Sequence, residues 1–324
     1  MPAPAISVVI PAYRAEAHLP ACLEGLNAQD ADPDGFEVIV VDDASPDRTA
    51  EVGERYGARV VQHSENAGAA AARNTGVRAA RGEVVLFVDS DVVPAPGLVQ
   101  ATMETFADPA VRAATGRYLP EPANEGAFPR YKALWTWFCW EQTGARTGES
   151  GHLQGALCAV RREDLLALGG FDGTYEGGSV EDYELSDRLR AAGIGIRFAD
   201  GIAGRHHFPG MGTVARNYWD RTRMWLRLAP ERRGFSSGQA NRRAGFAAAA
   251  AFGGALGVFP PLWPIAAPAQ LAWLAASAPF LGFVWRREGS GFALYCAGVH
   301  YALSAVVGAA AVTAPFGRGS RRTG

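Results

Sequence analysis

The distribution of charge along the chain constrains its fold more than any other feature. Residues 245–285 contain no Asp, Glu, Lys or Arg, and residues 289–317 repeat this pattern. A hydrocarbon core of about 30 Å is crossed by roughly 20 apolar helical residues, so these stretches can form two or three crossings. The alternative is a pair of buried Ala/Gly-rich helices in a soluble domain. Such helices usually keep a polar stripe, which both stretches lack, and the sequence therefore predicts a membrane region.

The overall composition excludes several classes of protein. The chain has 324 residues and is 48% hydrophobic, which is enough for a full core and for more than one structural unit. Its net charge of -2 supplies no basic field, so we expect no nucleic-acid partner. Scattered cysteines without a C-x-x-C spacing predict buried thiols in a reducing cytosol. They are Cys22, Cys139, Cys158 and Cys296.

The N-terminal part of the chain alternates short β-branched runs with helical patterns. The runs predict strands at residues 6–10, 38–41, 59–62 and 84–88. The first run is too short for a signal peptide, so it is interpreted as a strand. Repeated alternation of strand and helix predicts a parallel sheet covered by helices, and hence an α/β fold.

Two helices between these strands have local signals of their own. Ser45 is the predicted N-cap of the first, with Pro46 at the first helical position and Asp47 in the first turn. Gly57 stands where a C-terminal cap belongs. Residues 74–80 predict a second helix before the next strand.

The region from residue 111 to residue 200 has a mixed pattern of aromatic, Gly-rich and helical segments. It includes a predicted amphipathic helix at residues 180–192 and a strand at residues 195–199. Residues 211–228 predict a helix that mixes aromatic side chains with arginines, which suits a bilayer interface. Packing of this helix on the α/β part of the chain is an equally good interpretation.

Two carboxylates, Asp89 and Asp91, follow the predicted strand at residues 84–88. They stand at the carboxyl end of a strand, where open α/β sheets bind ligands. In the turn after the strand both can converge on Mg²⁺ or Mn²⁺, which prefer oxygen ligands and usually bridge substrate phosphates. An Asp-x-Asp sequence alone is more often a turn or a cap, but its position here favours a metal site.

A second acidic pair, Asp42 and Asp43, ends the predicted strand at residues 38–41. One carboxylate can cap the following turn, and the pair can also accept hydrogen bonds from a base N–H or from ribose hydroxyls. Residues 66–76 add small side chains that permit close backbone approach, and Arg73 is able to meet phosphate.

In this order, the motifs resemble those of the inverting glycosyltransferases of family 2, which share the GT-A fold. The matching stretches are residues 8–13, 41–47, 66–76, 87–91, 155–156, 170–172 and 180–185. The resemblance covers about residues 6–225. It implies a Rossmann-like, mostly parallel sheet with flanking helices, a nucleotide-sugar donor, and Mg²⁺ or Mn²⁺ as the cofactor.

The resemblance also implies roles for individual residues. The nucleoside would be held by Pro11, Tyr13, Asp42 and Asp43. The wider donor site would add Gly68, Arg73, Asp89 and Ser90, with Asp89 and Asp91 at the diphosphate and metal. One of His206 and His207 would face the metal or diphosphate, and His207 is the predicted ligand. A histidine pair in a loop is more often ordinary surface or core polarity.

Asp182 is the catalytic base that the resemblance implies, and a physical argument supports it. It begins the predicted helix at residues 180–192, whose N-terminal dipole stabilises a carboxylate. There it can accept the acceptor's proton while the metal neutralises the departing diphosphate, and a single displacement inverts the anomeric carbon. Without the other motifs, Glu181 and Asp182 would be interpreted as helix capping. Glu181 is interpreted as a neighbour that sets geometry.

These features predict a metal-dependent inverting glycosyltransferase at the cell membrane, with its catalytic domain facing the cytoplasm. The expected parts are a catalytic domain at residues 1–210, an interfacial connector at 211–243 and a membrane region at 244–324 with two or three hydrophobic segments. The donor would be a nucleotide-diphosphate sugar and the acceptor a glycan or a lipid-linked molecule, in the synthesis of cell-envelope glycan or glycolipid.

Two other functions stay open. Metal-dependent nucleotidyl transfer also uses carboxylates on an α/β sheet and would release pyrophosphate, although no Gly-rich pyrophosphate-binding motif lies near the N-terminus. A non-catalytic membrane scaffold of the same fold is the other alternative. Presence of both Asp91 and Asp182 argues against a scaffold.

The membrane topology is ambiguous from the sequence. Basic clusters lie at residues 242–243, 286–287 and 318–322. By the positive-inside rule they cannot all be cytoplasmic if the chain crosses three times. Either residues 246–259 form a partial or interfacial segment, or one cluster lies outside.

Overall fold

A computed structural model describes residues 4–32, 35–142, 148–174, 180–228 and 242–314. These residues form two compact units. The first contains the described residues of Met1–Asn124 and Trp140–His207, and the second contains those of Glu125–Cys139 and Phe208–Ser320. The predicted boundary at residue 210 is close to the division after His207. The assignment of Glu125–Cys139 to the second unit has no counterpart in the sequence prediction.

The first unit is built on a nine-stranded sheet. Its strands are β1 (Ile6–Ala12), β2 (Phe36–Asp42), β3 (Arg59–Gln62), β4 (Val84–Val88), β5 (Val92–Pro94), β6 (Ala113–Tyr118), β7 (Glu149–Ser150), β8 (Leu157–Arg161) and β9 (Ile196–His206). Their order is β3-β2-β1-β4-β8-β6-β9-β5, and β7 pairs with β9. β1 to β4 are parallel, as predicted, whereas β8 runs antiparallel to both β4 and β6.

The helices of both units are numbered together along the chain. They are α1 (Leu19–Asn27), α2 (Thr49–Arg55), α3 (Ala69–Ala79), α4 (Leu98–Phe106), α5 (Ala127–Gln142), α6 (Arg162–Ala167), α7 (Glu181–Ala191), α8 (Met211–Leu228), α9 (Arg242–Ala255), α10 (Trp263–Glu288) and α11 (Ser290–Thr313). Short 3₁₀ turns at Leu256–Val258 and Pro260–Leu262 connect α9 to α10. α8 has the bounds that the sequence predicts.

The parallel register places the chemistry-bearing residues at one edge of the sheet. Val9 of β1 lies between Ile39 of β2 and Phe87 of β4. All positions of β1 and β4 are buried, so apolar side chains fill both faces of these strands. Because β1, β2 and β4 end at the same edge, the residues that follow them come together.

A glycine allows α3 to pack closely on β1. A Cβ atom at Gly76 would lie 2.2 Å from Cγ1 of Val9, well inside van der Waals contact. Ala70, Ala72 and Val77 of α3 are buried in the same core as Val9. α3 begins at Ala69, five residues earlier than the predicted helix, so its N-terminal turns reach the edge of the sheet.

The predicted N-cap of α2 is wrong. The helix begins at Thr49, and Ser45 instead accepts the backbone N–H of Arg14 on its hydroxyl, at 3.0 Å. Asp47 provides the local contact, since its carboxylate accepts the N–H of Thr49 at 3.2 Å. The predicted end is confirmed, because Gly57 follows the helix with a φ of +82°.

The second unit has two hydrophobic clusters. The first packs α5 and α8 against α10 and α11, with Tyr131, Leu134 and Phe280 among its buried side chains. The second packs Ala251 of α9 against Trp273 of α10. Two of its helices, within Pro260–Glu288 and Ser290–Thr313, are long and apolar enough to cross a membrane, and the apolar helix at Arg243–Val258 is shorter.

Candidate active site

A pocket of about 170 Å³ opens at the carboxyl ends of β1 and β4. The end of β1, the loop after β2, the turn after β4 and the start of α3 all contribute to it. Its lining residues are Pro11, Ala12, Tyr13, Asp43, Ala69, Ala72, Arg73, Asp89, Ser90 and Asp91. The structure therefore brings most of the predicted donor-site residues into one pocket.

Pro11 and Tyr13 form the part of this pocket that comes from β1. Pro11 lies within the strand and is buried, whereas Tyr13 follows the strand and is 45% exposed. The guanidinium of Arg14 lies 5.3 Å from the centre of the Tyr13 ring. An exposed aromatic ring at a pocket is suited to stack on a planar group such as a nucleobase.

Asp43 is buried and shapes the loop that leads into α3. One carboxylate oxygen accepts the N–H of Ala67 at 2.9 Å and lies 2.7 Å from Nδ1 of His63. The other oxygen accepts the N–H of Gly68 at 2.8 Å. Gly68 has a φ of +89°, a conformation that favours glycine, and it does not line the pocket. Asp43 thus positions the start of α3 as well as facing the pocket.

Asp42 lies beside the pocket but is not among its lining residues. Its carboxylate accepts the backbone N–H of Ser45 at 3.1 Å and the side-chain amide of Gln62 at 3.4 Å. The structure therefore places Asp42 as a cap of the turn after β2, the role that the sequence left open for one of the two acids.

Arg73 occupies the wall between the pocket and α7. Its guanidinium is buried and donates to Asp89 at 2.7 Å and to Glu181 at 3.1 Å. The ring of Phe171 lies 5.4 Å from the guanidinium carbon. The side chain that was predicted to meet phosphate is thus already held by two carboxylates.

Asp91 has a carboxylate oxygen that needs a partner. Its Oδ1 is buried and has no hydrogen-bond partner among the described residues. Burial, followed by repulsion from Asp89, raises the pKa of Asp91 above its usual range. A divalent cation would supply the missing partner and would favour the charged carboxylate. The residues at this point therefore fit Mg²⁺ or Mn²⁺.

The protein would supply only part of the coordination of such an ion. In the described part of the chain, no group of three or more His, Cys, Asp and Glu side chains is placed to hold a metal alone. Mg²⁺ commonly keeps water and substrate phosphate among its ligands. An ion at Asp91 would therefore be completed by the phosphates of a bound substrate.

His206 and His207 lie in different positions relative to Asp91. His206, at the end of β9, brings Nε2 to 3.4 Å from Oδ2 of Asp91. The ring of His207 packs on that of His18 with centroids 4.0 Å apart, while its backbone N–H donates to the Asp91 carbonyl at 2.8 Å. Burial and the two neighbouring histidines lower the pKa of His207. The structure thus brings His206 to the carboxylate, and the role of His207 as a ligand stays a prediction.

Asp182 lies in the first turn of α7 and is not among the residues that line the pocket. One oxygen accepts the N–H of Gly155 at 3.3 Å and the other accepts the N–H of Tyr183 at 2.8 Å. A methyl group at Gly155 would lie 3.4 Å from Cβ of Asp182 and 3.6 Å from Cζ of Arg73. A side chain at residue 155 would therefore contact both the candidate base and the guanidinium that contacts Asp89.

The sequence prediction missed two residues that contact the site. Glu181 is buried against Arg73, although the sequence indicated only a neighbour of Asp182. His63 was not predicted at all, and its ring joins Asp43 to Thr75, with Nε2 2.9 Å from the Thr75 hydroxyl. No local pattern marks His63, because its position depends on how β3 and α3 meet.

Residues 7–169 match a family model described as "Glycosyl transferase family 2". This range contains the whole pocket lining, and it ends before α7.

Two curated relatives each match more than half of the chain. The pre-mycofactocin glycosyltransferase of Mycobacterium tuberculosis is 34% identical over 170 residues, which cover 51% of this chain and 36% of the relative. The validoxylamine A glucosyltransferase of Streptomyces hygroscopicus subsp. limoneus is 31% identical over 223 residues, or 59% of this chain and 49% of the relative. The chain thus spans half or less of the length of these two relatives.

A solved structure resembles more of the chain. It is the mannosyltransferase PcManGT from Pyrobaculum calidifontis in complex with GDP-Man and Mn²⁺. The match has a TM-score of 0.59 and 20% identity, and it covers 97% of this chain and 88% of that one. At this identity the likeness concerns the fold.

Proposed function

The chain belongs to glycosyl transferase family 2, and we propose that it transfers a sugar from a nucleoside-diphosphate donor to an acceptor hydroxyl. The observation that carries the proposal is the pocket in which Tyr13, Asp43, Asp89 and Asp91 meet at the carboxyl edge of the sheet. An aromatic ring suits a base, and the carboxylates suit ribose and a metal-bound diphosphate.

We assign the donor side to the end of β1 and the turn after β4. Tyr13 would pack against the base, and Asp43 has lone pairs that can accept from a base N–H or a ribose hydroxyl. Asp91, with Asp89 beside it, would hold Mg²⁺ or Mn²⁺. The ion, when bound, neutralises charge that develops on the departing diphosphate. The solved mannosyltransferase that shares the fold carries GDP-Man and Mn²⁺, which supports this class of donor and ion.

We assign the role of general base to Asp182. The acceptor hydroxyl would lose its proton to the Asp182 carboxylate as its oxygen bonds to the anomeric carbon. The bond from that carbon to the diphosphate oxygen breaks in the same step, and the nucleoside diphosphate leaves. Attack from the side opposite to the leaving group inverts the anomeric configuration.

We further propose that the second unit attaches the protein to a membrane. Large apolar side chains of α10 are exposed along its length, including Leu271 at 68%. Trp263 and Trp285 near its two ends are 61% and 64% exposed. They are separated by about 33 Å at 1.5 Å per residue. Exposed tryptophans at this spacing match the two interfaces of a bilayer.

The positions of basic residues support a cytoplasmic orientation. Arg286 and Arg287 lie at the C-terminal end of α10, next to Trp285 at the proposed bilayer interface. By the positive-inside rule this end of α10 would face the cytoplasm. The cluster at residues 318–322 lies outside the described residues.

The acceptor would be a glycan or a lipid-linked molecule, since a membrane-attached enzyme meets such acceptors at the bilayer surface. With such an acceptor, the reaction would belong to the synthesis of cell-envelope glycan or glycolipid.

A screen of nucleotide sugars tests the proposed function. The full chain in detergent would be incubated with Mn²⁺ and each of a set of UDP-, GDP- and TDP-sugars, with and without membrane lipid extract. We expect lipid-dependent release of nucleoside diphosphate from one donor class and loss of that release with a chelator. Release of pyrophosphate instead would indicate nucleotidyl transfer, and turnover of no donor would contradict the proposal.

A further inference from the structure

Arg73 joins two parts of the first unit that are far apart in sequence. It is 4% exposed, and its two terminal nitrogens reach Asp89 at 2.7 Å and Glu181 at 3.1 Å. Asp89 directly follows β4, whereas Glu181 is the first residue of α7. A rigid, planar guanidinium thus ties the turn after β4 to the start of the helix that carries Asp182.

This contact is costly to disturb because it is buried. Glu181 is 5% exposed, and its second oxygen accepts the N–H of Val180 at 3.1 Å. Nε of Arg73 has no hydrogen-bond partner among the described residues. The polar contacts of this guanidinium are therefore those with the two carboxylates. Removal of one partner would leave a buried charge less well compensated, and the remaining groups would move.

Two side chains further along α7, Ser186 and Arg188, contact residues that do not line the donor pocket. The Ser186 hydroxyl accepts the N–H of Leu153, and Arg188 donates to the carbonyls of Leu168 and Gly170. These contacts fix the middle of the helix. Glu181 differs from them because its partner also contacts a pocket carboxylate, Asp89.

We propose that Arg73 and Glu181 are positioning residues that couple occupancy of the donor pocket to the placement of Asp182. A nucleoside diphosphate and its cation at the Asp89 side would fix Asp89, then Arg73, then Glu181 and the first turn of α7. Donor binding would thereby stabilise the position of the base. This inference rests on the proposed function and goes beyond it, because it assigns to Glu181 a role distinct from that of Asp182.

The test compares Glu181→Gln with Glu184→Gln in the full chain. Glu184 lies on the same helix and pairs with Arg188 at 2.6 Å. Among the described contacts, Arg188 reaches the carbonyls of Leu168 and Gly170 and not Asp89, so Glu184→Gln is a matched control. Amide hydrogen exchange of residues 183–186 would be measured with and without UDP or GDP plus Mn²⁺. Nucleotide affinity, donor KM and kcat would be measured in parallel.

In the wild-type protein and in Glu184→Gln, nucleotide with Mn²⁺ should slow exchange in the first turns of α7. Glu181→Gln should lose this protection while nucleotide affinity and donor KM change by no more than roughly threefold. Its kcat should fall by about 10- to 100-fold, as expected when a base is misplaced and not removed. Should Glu181→Gln fail to fold, Glu181→Asp takes its place, since aspartate keeps the charge but is one methylene shorter and cannot keep the contact with Arg73.

The possible failures can be told apart. If the wild-type protein binds nucleotide and transfers sugar, but the folded variant keeps both the protection and kcat, then the coupling inference is wrong and the proposed function stands. If the wild-type protein neither binds a nucleoside diphosphate nor turns over a donor, the proposed function is overturned, and the coupling inference with it.

Discussion

Asp182 is held by the backbone N–H of Gly155, which lies 3.3 Å from its Oδ2. The N–H of Tyr183 donates to Oδ1 at 2.8 Å, so both oxygens accept from the main chain. These contacts orient the carboxylate. Because residue 155 is a glycine, no side chain at that position packs against Asp182. A change from acid to amide at this position should therefore alter proton transfer more than structure.

Asp182→Asn should reduce the rate of sugar transfer by about 10²- to 10⁴-fold, the usual contribution of a general base. Donor affinity should change little, because Asn can keep one of the two N–H contacts and the pocket lining is untouched. Calorimetry with nucleoside diphosphate and Mn²⁺ would measure binding, and product formation would measure transfer.

Asp187→Asn is the matched control for this experiment. Asp187 lies on the same helix and pairs with Arg190 at the surface, so its loss should leave transfer unchanged. A folded Asp182→Asn protein with full activity would contradict the base assignment. A product with retained anomeric configuration would contradict the direct displacement itself.

Asp91→Asn should abolish stimulation of turnover by Mn²⁺ without lowering stability. The buried Oδ1 has no partner among the described residues, and Asp89 repels the charge, so a neutral amide removes an unfavourable interaction in the metal-free protein. The Tm in a chelator should therefore stay the same or rise, and it should not fall. Asp108→Asn, at an exposed site, serves as the control. Turnover that still rises with Mn²⁺ in the variant would exclude Asp91 as a ligand.

The elements that the sequence predicts well are those that local patterns determine. β3 and β4 have the predicted bounds, and β1 and β2 contain their predicted runs, because β-branched runs between turn residues depend little on distant contacts. The position of Asp89 and Asp91 after β4 follows from the same pattern. The parallel pairing of β1 with β4 follows from the alternation of strands and helices.

Features that depend on distant contacts could not be predicted. Arg73 and Glu181 are 108 positions apart, and neither side chain shows its partner in the local sequence. The antiparallel pairing of β8 with β4 has the same origin, as does the packing of Tyr131 on Phe280. The predicted N-cap of α2 was wrong for a related reason, because the Ser45 hydroxyl accepts the backbone N–H of Arg14, which is distant in sequence.

Removal of the apolar helices should destabilise the protein, even if they also serve as an anchor. A chain ending at residue 243 loses Phe280, Val284 and Leu303, which are buried against Tyr131 and Leu134 of α5. Each such side chain contributes about 1.5–3 kcal/mol when buried. We expect the truncated chain to aggregate, with or without detergent, as measured by size-exclusion chromatography. A chain ending at residue 314 keeps every described helix and should behave like the full chain. A monodisperse, active protein of residues 1–243 would contradict this prediction. It would show that the apolar helices serve as an anchor and are not needed for folding.

His152 should make the first unit sensitive to acid. Its ring lies between those of Trp140 and Tyr183, at centroid distances of 5.2 and 4.7 Å, and its Nδ1 has no hydrogen-bond partner among the described residues. Burial, followed by the charge of Arg190, lowers the pKa of His152 to about 4. The ring is therefore neutral in the folded protein at neutral pH.

The sign of the effect follows from the protons bound in each state. Between the unfolded pKa of about 6.5 and the folded pKa, the unfolded chain binds more protons, so stability falls as pH decreases through this range. The loss is at most about 1.4 kcal/mol per pH unit from this one group.

His152→Phe keeps an aromatic ring between Trp140 and Tyr183 but cannot be protonated. Thermal unfolding of both proteins from pH 7.5 to pH 4.5 should therefore show a Tm difference that grows in favour of the variant below about pH 6.5. Other titrating groups are common to both proteins and cancel in the difference. Parallel Tm curves over the whole range would mean that His152 titrates alike in the folded and unfolded chain, and that the aromatic stack does not exclude its charged form.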